Sequence, residues 1–80
     1  MAEQIKMFHD QLADLIVMDV RRHARCQGFK SVTLYRHPYG EIPGANWSVG
    51  TVNYGDAGPQ ICKAALQEVT ARRQRQYRLV

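Results

Sequence analysis

The stretch SVTLYRH, residues 31–37, decides the fold, because its residues alternate in polarity rather than following a helical period. Val32 and Leu34 fall on one side of an extended chain. Thr33 and Tyr35 fall on the other side. β-Branched and aromatic residues of this kind are enriched in strands. The stretch therefore predicts a β-strand.

A second extended run, NWSVGTVNY, follows nine residues later in the sequence. Trp47 and Val49 share one side of it, whereas the later apolar pair lies on the opposite parity. A β-bulge near Gly50 would bring both halves onto one buried face. Because Trp47 shares its side with Val49, we expect its indole to be the largest side chain of the core.

The connection between the strands, PYGEIPGA, carries two turn signals, Tyr-Gly and Pro-Gly, and predicts a long hairpin loop. Tyr39 and Ile42 in this loop have two interpretations. They form an exposed apolar contact surface whose freedom Pro38 and Pro43 limit, or they fold over the end of the sheet.

An amphipathic helix is predicted before the first strand, over residues 3–26. Its apolar residues recur at steps of three and four: Ile5, Phe8, Leu12, Leu15, Ile16 and Val20. Gly28 stands where a left-handed residue would end such a helix.

A second helix is predicted from Pro59 to about Tyr77. Proline favours the first turn of a helix, and Asp56 or Gly58 precedes it as the cap. The apolar stripe of this helix consists of Ile61, Cys62, Ala65, Leu66 and Val69.

The predicted order is helix, strand, strand, helix, which defines one two-layer α+β domain over residues 1–80, with both helices on one face of an antiparallel hairpin. A two-stranded sheet leaves both edges unpaired. We therefore expect a homodimer in which two hairpins pair into a four-stranded sheet.

Composition favours a folded domain without a membrane span. The chain has 80 residues, of which 45% are hydrophobic and 22% charged, unlike a disordered chain. Its longest apolar run, LADLIVMDV, is interrupted by Asp14 and Asp19. The start, MAEQIKMFHD, does not resemble a secretion signal, so we expect a cytoplasmic location. In that compartment Cys26 and Cys62 are expected to be free thiols.

The net charge of +4 belongs to the last helix and tail, because the acids and bases of the preceding residues cancel. One interpretation is a grip on phosphate backbones by Lys63, Arg72, Arg73, Arg75 and Arg78. The other is an ordinary helix end, stabilised by the helix dipole and by pairing with Glu3, Asp10 and Asp14 of the first helix. We favour the second interpretation, because the arginines fan around most of the helix.

The sequence contains few candidate residues for metal binding or catalysis. His23, Cys26 and Cys62 are three potential zinc ligands without a clear fourth, so we expect no metal and no cofactor. Asp19 and His23 have the spacing of an ordinary helix ion pair, and the sequence places no nucleophile beside them. We therefore expect that the protein is not an enzyme.

Two resemblances concern the fold. Double-stranded RNA-binding domains also lay two helices on an antiparallel sheet, but they start the second helix with lysines, where GPQICKAAL offers Lys63 alone. One of their strands is also missing, so their binding residues are not carried over. The segments GANWSVG and RQRQYRLV resemble a set of short bacterial proteins of unknown function. That resemblance implies only the order helix, strand, strand, helix, because the family has no assigned activity to carry over.

The function expected from the sequence is that of a non-enzymatic domain acting through protein contacts or homodimerisation. The alternative is a nucleic-acid-binding module that uses the basic last helix.

Overall fold

A computed structural model describes residues 4–37 and 46–80. It confirms an α+β fold with two helices and small sheets. The described elements, in chain order, are β1 (Ile5–Met7), α1 (His9–Arg21), β2 (Ser31–Arg36), β3 (Trp47–Asn53), α2 (Pro59–Gln76) and β4 (Tyr77–Leu79).

The predicted hairpin and its bulge are confirmed. β2 and β3 pair antiparallel, with Val32 opposite Val52 and Leu34 opposite Val49. Two residues of β3, at positions 50 and 51, therefore lie opposite Thr33 alone. The Thr33 hydroxyl oxygen accepts a hydrogen bond from the backbone N–H at position 51, at 2.9 Å, and so satisfies a donor that the bulge takes out of the ladder.

The predicted start of the first helix at residue 3 is wrong. Ile5–Met7 forms β1, which pairs in parallel with Tyr77–Leu79. Phe8 is extended, with φ −77° and ψ 156°, and α1 begins after it. The apolar residues of this segment fit a helical period, but pairing with a strand more than 70 residues away in sequence gives their backbone groups other partners.

The predicted end of the first helix also changes, whereas the predicted end of the second helix agrees within one residue. α1 ends at Arg21, and the left-handed residue beyond it is Arg25, with φ 67°, not Gly28. α2 begins at Pro59 with Gly58 as its cap, as predicted, and ends at Gln76 because Tyr77 is already extended.

Trp47 is the largest side chain of the core, as predicted, and its exposed fraction is 0%. The core also contains Phe29 and residues of both helices, so α1 and α2 cover the same buried face of the hairpin. The indole Nε1 donates to the carbonyl of Tyr77 at 3.0 Å. This bond satisfies the polar end of a buried ring and ties β3 to β4.

Asn46 joins the two sheets beside that indole. Its side-chain oxygen accepts from the N–H of Leu79 at 2.9 Å, and its Nδ2 donates to the carbonyl of Leu79 at 2.8 Å. Gln74 adds a third link by donating from Nε2 to the carbonyl of Trp47 at 2.7 Å. The start of β3 is therefore fixed against the end of the chain.

The prediction of free thiols is wrong, because Cys26 and Cys62 form a disulfide between the segment after α1 and the start of α2. Their Cα atoms lie 5.8 Å apart, within the range that a disulfide requires. Both side chains are buried in the core. Two positions 36 residues apart in sequence are thus linked covalently.

Candidate functional site

Arg73 is a member of a buried ion pair between the two helices. Its Nε donates to Asp19 Oδ2 at 2.6 Å, and its Nη2 contacts the same oxygen. The Arg73 side chain is 17% exposed, and its guanidinium lies over the ring of Tyr77. Asp19 is the interhelix partner rather than Asp10 or Asp14, and Glu3 lies outside the described residues. The Arg73 guanidinium is therefore engaged inside the fold.

The remaining cations of α2 are exposed, and one of them has an acidic neighbour. Arg72 donates to Glu68 at 3.2 Å, one helical turn away. Lys63 and Arg75 form no salt bridge with a carboxylate among the described residues. Of the four candidate nucleic-acid contacts on α2, Arg72 and Arg73 are thus paired with carboxylates, whereas Lys63 and Arg75 are exposed.

Arg78 lies in β4 and belongs to a different group of cations. It is directly opposite Lys6 of β1 in the parallel ladder, and Arg36 at the end of β2 reaches the same cavity. This cavity, which we call the basic cavity, has a volume of about 210 Å³ and is lined by Lys6, Arg36, Asn46, Arg78, Leu79 and Val80. Its described lining contains three cationic side chains and no Asp or Glu.

The face of the hairpin that points away from the helices is the second surface of interest. Tyr35, which is 50% exposed, lies near its centre and stacks edge-on against His37. The Tyr35 ring also lies close to Gly50, where an added Cβ would meet it at 3.3 Å. We call this surface the outer face, and by strand alternation it consists of Ser31, Thr33, Tyr35, His37, Ser48, Gly50, Thr51 and Asn53.

None of the residues of the outer face is Asp, Glu, Lys or Arg. His37 is hydrogen-bonded to Ser48 at 2.6 Å, so part of its polarity is already satisfied within the face. The loop residues Tyr39 and Ile42, predicted as a possible contact surface, lie outside the described residues.

The other candidates for chemistry are not assembled. Cys26 and Cys62 are bonded to each other, so neither offers a thiolate to a metal. Residues 4–37 and 46–80 contain no group of three potential ligands placed to hold an ion. The Asp19 carboxylate contacts Arg73 and Arg22, at 3.9 Å for the latter, instead of the predicted partner His23.

Sequence reasoning missed Lys6, Arg36 and Asn46 as lining residues of one cavity. Lys6 was assigned to a helix, and nothing local indicates that β1 lies beside β4. The one available signal was the Asn-Trp pair, whose two side chains bind the backbone of β4.

Comparisons with protein-family models, with curated proteins and with solved structures give no match for this chain. Within the part of the chain that the structure describes, neither helix is long and apolar enough to cross a bilayer.

Proposed function

We propose that this chain is a small non-enzymatic domain that acts through protein contacts, and that its partner is a second copy of itself. The observation that carries this proposal is the outer face of the hairpin, a strand surface without ionic side chains centred on an exposed tyrosine. Tyrosine is enriched in protein interfaces, whereas lysine, glutamate and aspartate are depleted there.

The contact uses the outer face rather than the sheet edges. On the edge of β2, the N–H of Leu34 donates to His9 Nε2 at 3.0 Å. On the other edge, Gln74 occupies the carbonyl of Trp47, and the bulge at Gly50 distorts β3. Such features prevent strands from pairing edge to edge. This changes the expected geometry from a continuous four-stranded sheet to two sheets in face-to-face contact.

A second copy fits this face because a two-fold axis brings the same uncharged surface onto itself. A charged partner would find no complementary charge there. The outer face is small. Two strands of seven residues each cover roughly 24 Å by 10 Å, whereas each partner in a standard interface buries about 800 Å². The expected dimer is therefore weak and depends on concentration.

Sedimentation equilibrium over a wide concentration range tests this proposal. The Tyr35→Lys variant places a charge on the outer face and should be monomeric where the unmodified protein dimerises. Met18→Lys is the matched control, because Met18 is 55% exposed but lies on α1. A monomeric unmodified protein at high concentration, or equal effects of both substitutions, would contradict the proposal.

The second candidate function is nucleic-acid binding, favoured by the convergence of Arg78 with Lys6 and Arg36 and, separately, by the exposed cations Lys63 and Arg75 of α2. Electrostatic affinity for phosphate backbones is greatest at low salt. Titration with single-stranded and duplex oligonucleotides at low ionic strength should show binding that Lys63→Gln and Arg75→Gln both weaken. Absence of binding under these conditions would exclude this function.

A cytoplasmic location also remains a proposal, and the disulfide supplies its sharpest test. Disulfides persist in oxidising compartments and are reduced in the cytosol. Acid quenching of intact native cells, followed by alkylation in denaturant and mass spectrometry, should modify both Cys26 and Cys62 if the protein is cytoplasmic, because denaturation exposes side chains that the fold buries. Complete protection of both residues would contradict that location.

A further inference from the structure

We propose that the basic cavity binds the phosphate group of a small phosphate ester. The cavity lies between the two sheets, and Lys6, Arg36 and Arg78 supply its positive charge. This proposal is independent of dimerisation through the outer face.

Like charges lie at unfavourable positions around the basic cavity. Lys6 and Arg78 are direct partners in the β1–β4 ladder, and like charges at opposed positions destabilise a sheet. Arg36 brings a third positive charge to the same cavity. In the described residues, no carboxylate forms a salt bridge with any of these three side chains. A bound dianion would convert this repulsion into attraction.

Several arginines elsewhere in the chain differ from those of the basic cavity in that they have partners. Arg73 is paired with Asp19, Arg72 with Glu68, and Arg21 donates to the carbonyl of Phe29 at 2.6 Å. These cations have partners within the fold. The cations of the basic cavity instead come from three different strands and meet at one concave surface.

The side chains that line the basic cavity match the chemistry of a phosphate ester. Two guanidinium groups offer planar pairs of N–H donors, which match phosphate oxygens, and the lysine ammonium adds a mobile point charge. Asn46 holds the backbone of Leu79 through two hydrogen bonds and so fixes one wall. Leu79 and Val80 add apolar surface for the carbon part of an ester.

The size of the cavity favours a small ligand over a nucleic acid. Its volume of about 210 Å³ has room for a phosphate group and a few carbon atoms. A nucleic-acid backbone needs a row of cations. The row along α2 is interrupted, because Arg72 and Arg73 are already paired with carboxylates.

The experiment is a titration of the full chain at low salt with methyl phosphate, inorganic phosphate and a short oligonucleotide. Two-dimensional ¹H–¹⁵N NMR should show saturable shifts with methyl phosphate that are confined to the amides of β1, β4 and the end of β2. Inorganic phosphate should shift the same amides, because it shares the dianionic group.

Substitutions identify the residues involved. Lys6→Gln, Arg36→Gln and Arg78→Gln should each weaken methyl phosphate binding about ten-fold, as expected for the loss of a charged hydrogen bond. Lys30→Gln, which removes an exposed lysine just before β2 and outside the cavity lining, is the matched control and should leave affinity unchanged. Lys6→Gln is expected to stay folded, because it removes a repulsion from the ladder.

Three results would overturn the proposal. The first is the absence of saturable shifts with either phosphate compound. The second is an equal loss of affinity in Lys30→Gln. The third is binding of the oligonucleotide alone, which would instead support the nucleic-acid function.

Discussion

The disulfide between Cys26 and Cys62 should supply a large part of the stability of this small domain. A cross-link removes conformational entropy from the unfolded chain in proportion to the logarithm of the loop that it closes. For a sequence separation of 36 residues, this entropy is about 13 cal/mol/K, which is about 4 kcal/mol at 25 °C. A domain of 80 residues has a total stability of about 4 to 12 kcal/mol.

Urea denaturation with and without reductant measures this contribution, because Trp47 is fully buried and is the single tryptophan of the chain. Its fluorescence should shift to the red on unfolding. We expect reduction to lower the free energy of unfolding by about 4 kcal/mol and Tm by at least about 15 °C. The double variant Cys26→Ala and Cys62→Ala is the control and should not respond to reductant.

A small effect of reduction on stability would contradict this prediction. If oxidised and reduced protein differ by less than about 1 kcal/mol in free energy of unfolding, the closed loop does not constrain the unfolded chain as the entropy argument requires. A response of the double variant to reductant would show that reductant acts elsewhere in the protein.

Three further predictions concern stability and are measured by urea denaturation. Arg73→Leu should cost about 3 kcal/mol, because it leaves the buried Asp19 carboxylate with the long contact to Arg22, at 3.9 Å, and adding Asp19→Leu should recover most of this cost; equal stabilities of the single and double variants would contradict this. Gly55→Ala should cost more than about 1 kcal/mol, because φ is +58° and the new Cβ would overlap a backbone carbonyl. Gly58→Ser should be neutral or slightly stabilising, because position 58 caps α2 and the new Cβ would make an ordinary contact with Ile61 Cδ1 at 3.8 Å. His9→Phe should cost about 1 kcal/mol, because it removes the ring nitrogen that accepts a hydrogen bond from the N–H of Leu34 in β2. Hydrogen exchange of that amide should become faster. Unchanged exchange would show that this hydrogen bond does not protect the strand.

The hairpin and most of both helices were predictable because their signals are local. Alternation at Val32 and Leu34 identifies a strand regardless of its partner, and the change of parity after Gly50 identifies a bulge. Proline at position 59 marks the start of a helix by its own backbone geometry. Each of these features depends on residues within a few positions of one another.

The candidate site was not predictable to the same degree, because its parts are brought together by long-range contacts. The helical spacing of Ile5 and Phe8 favoured a helix, yet β1 forms because β4 is available as its partner. That pairing places Lys6 opposite Arg78 and creates the basic cavity. The sequence assigned Arg78 to the same basic segment as Arg73, but the fold separates them.

The sequence by itself determined the α+β class, the strand with its bulge, the buried indole and the location of the net charge, since periodicity and composition act through neighbouring residues. Tertiary structure decided which cations are neutralised, which cysteines pair and where the first strand lies. Those outcomes depend on distances between residues far apart in the chain, and such distances exist only after the core has brought the elements together.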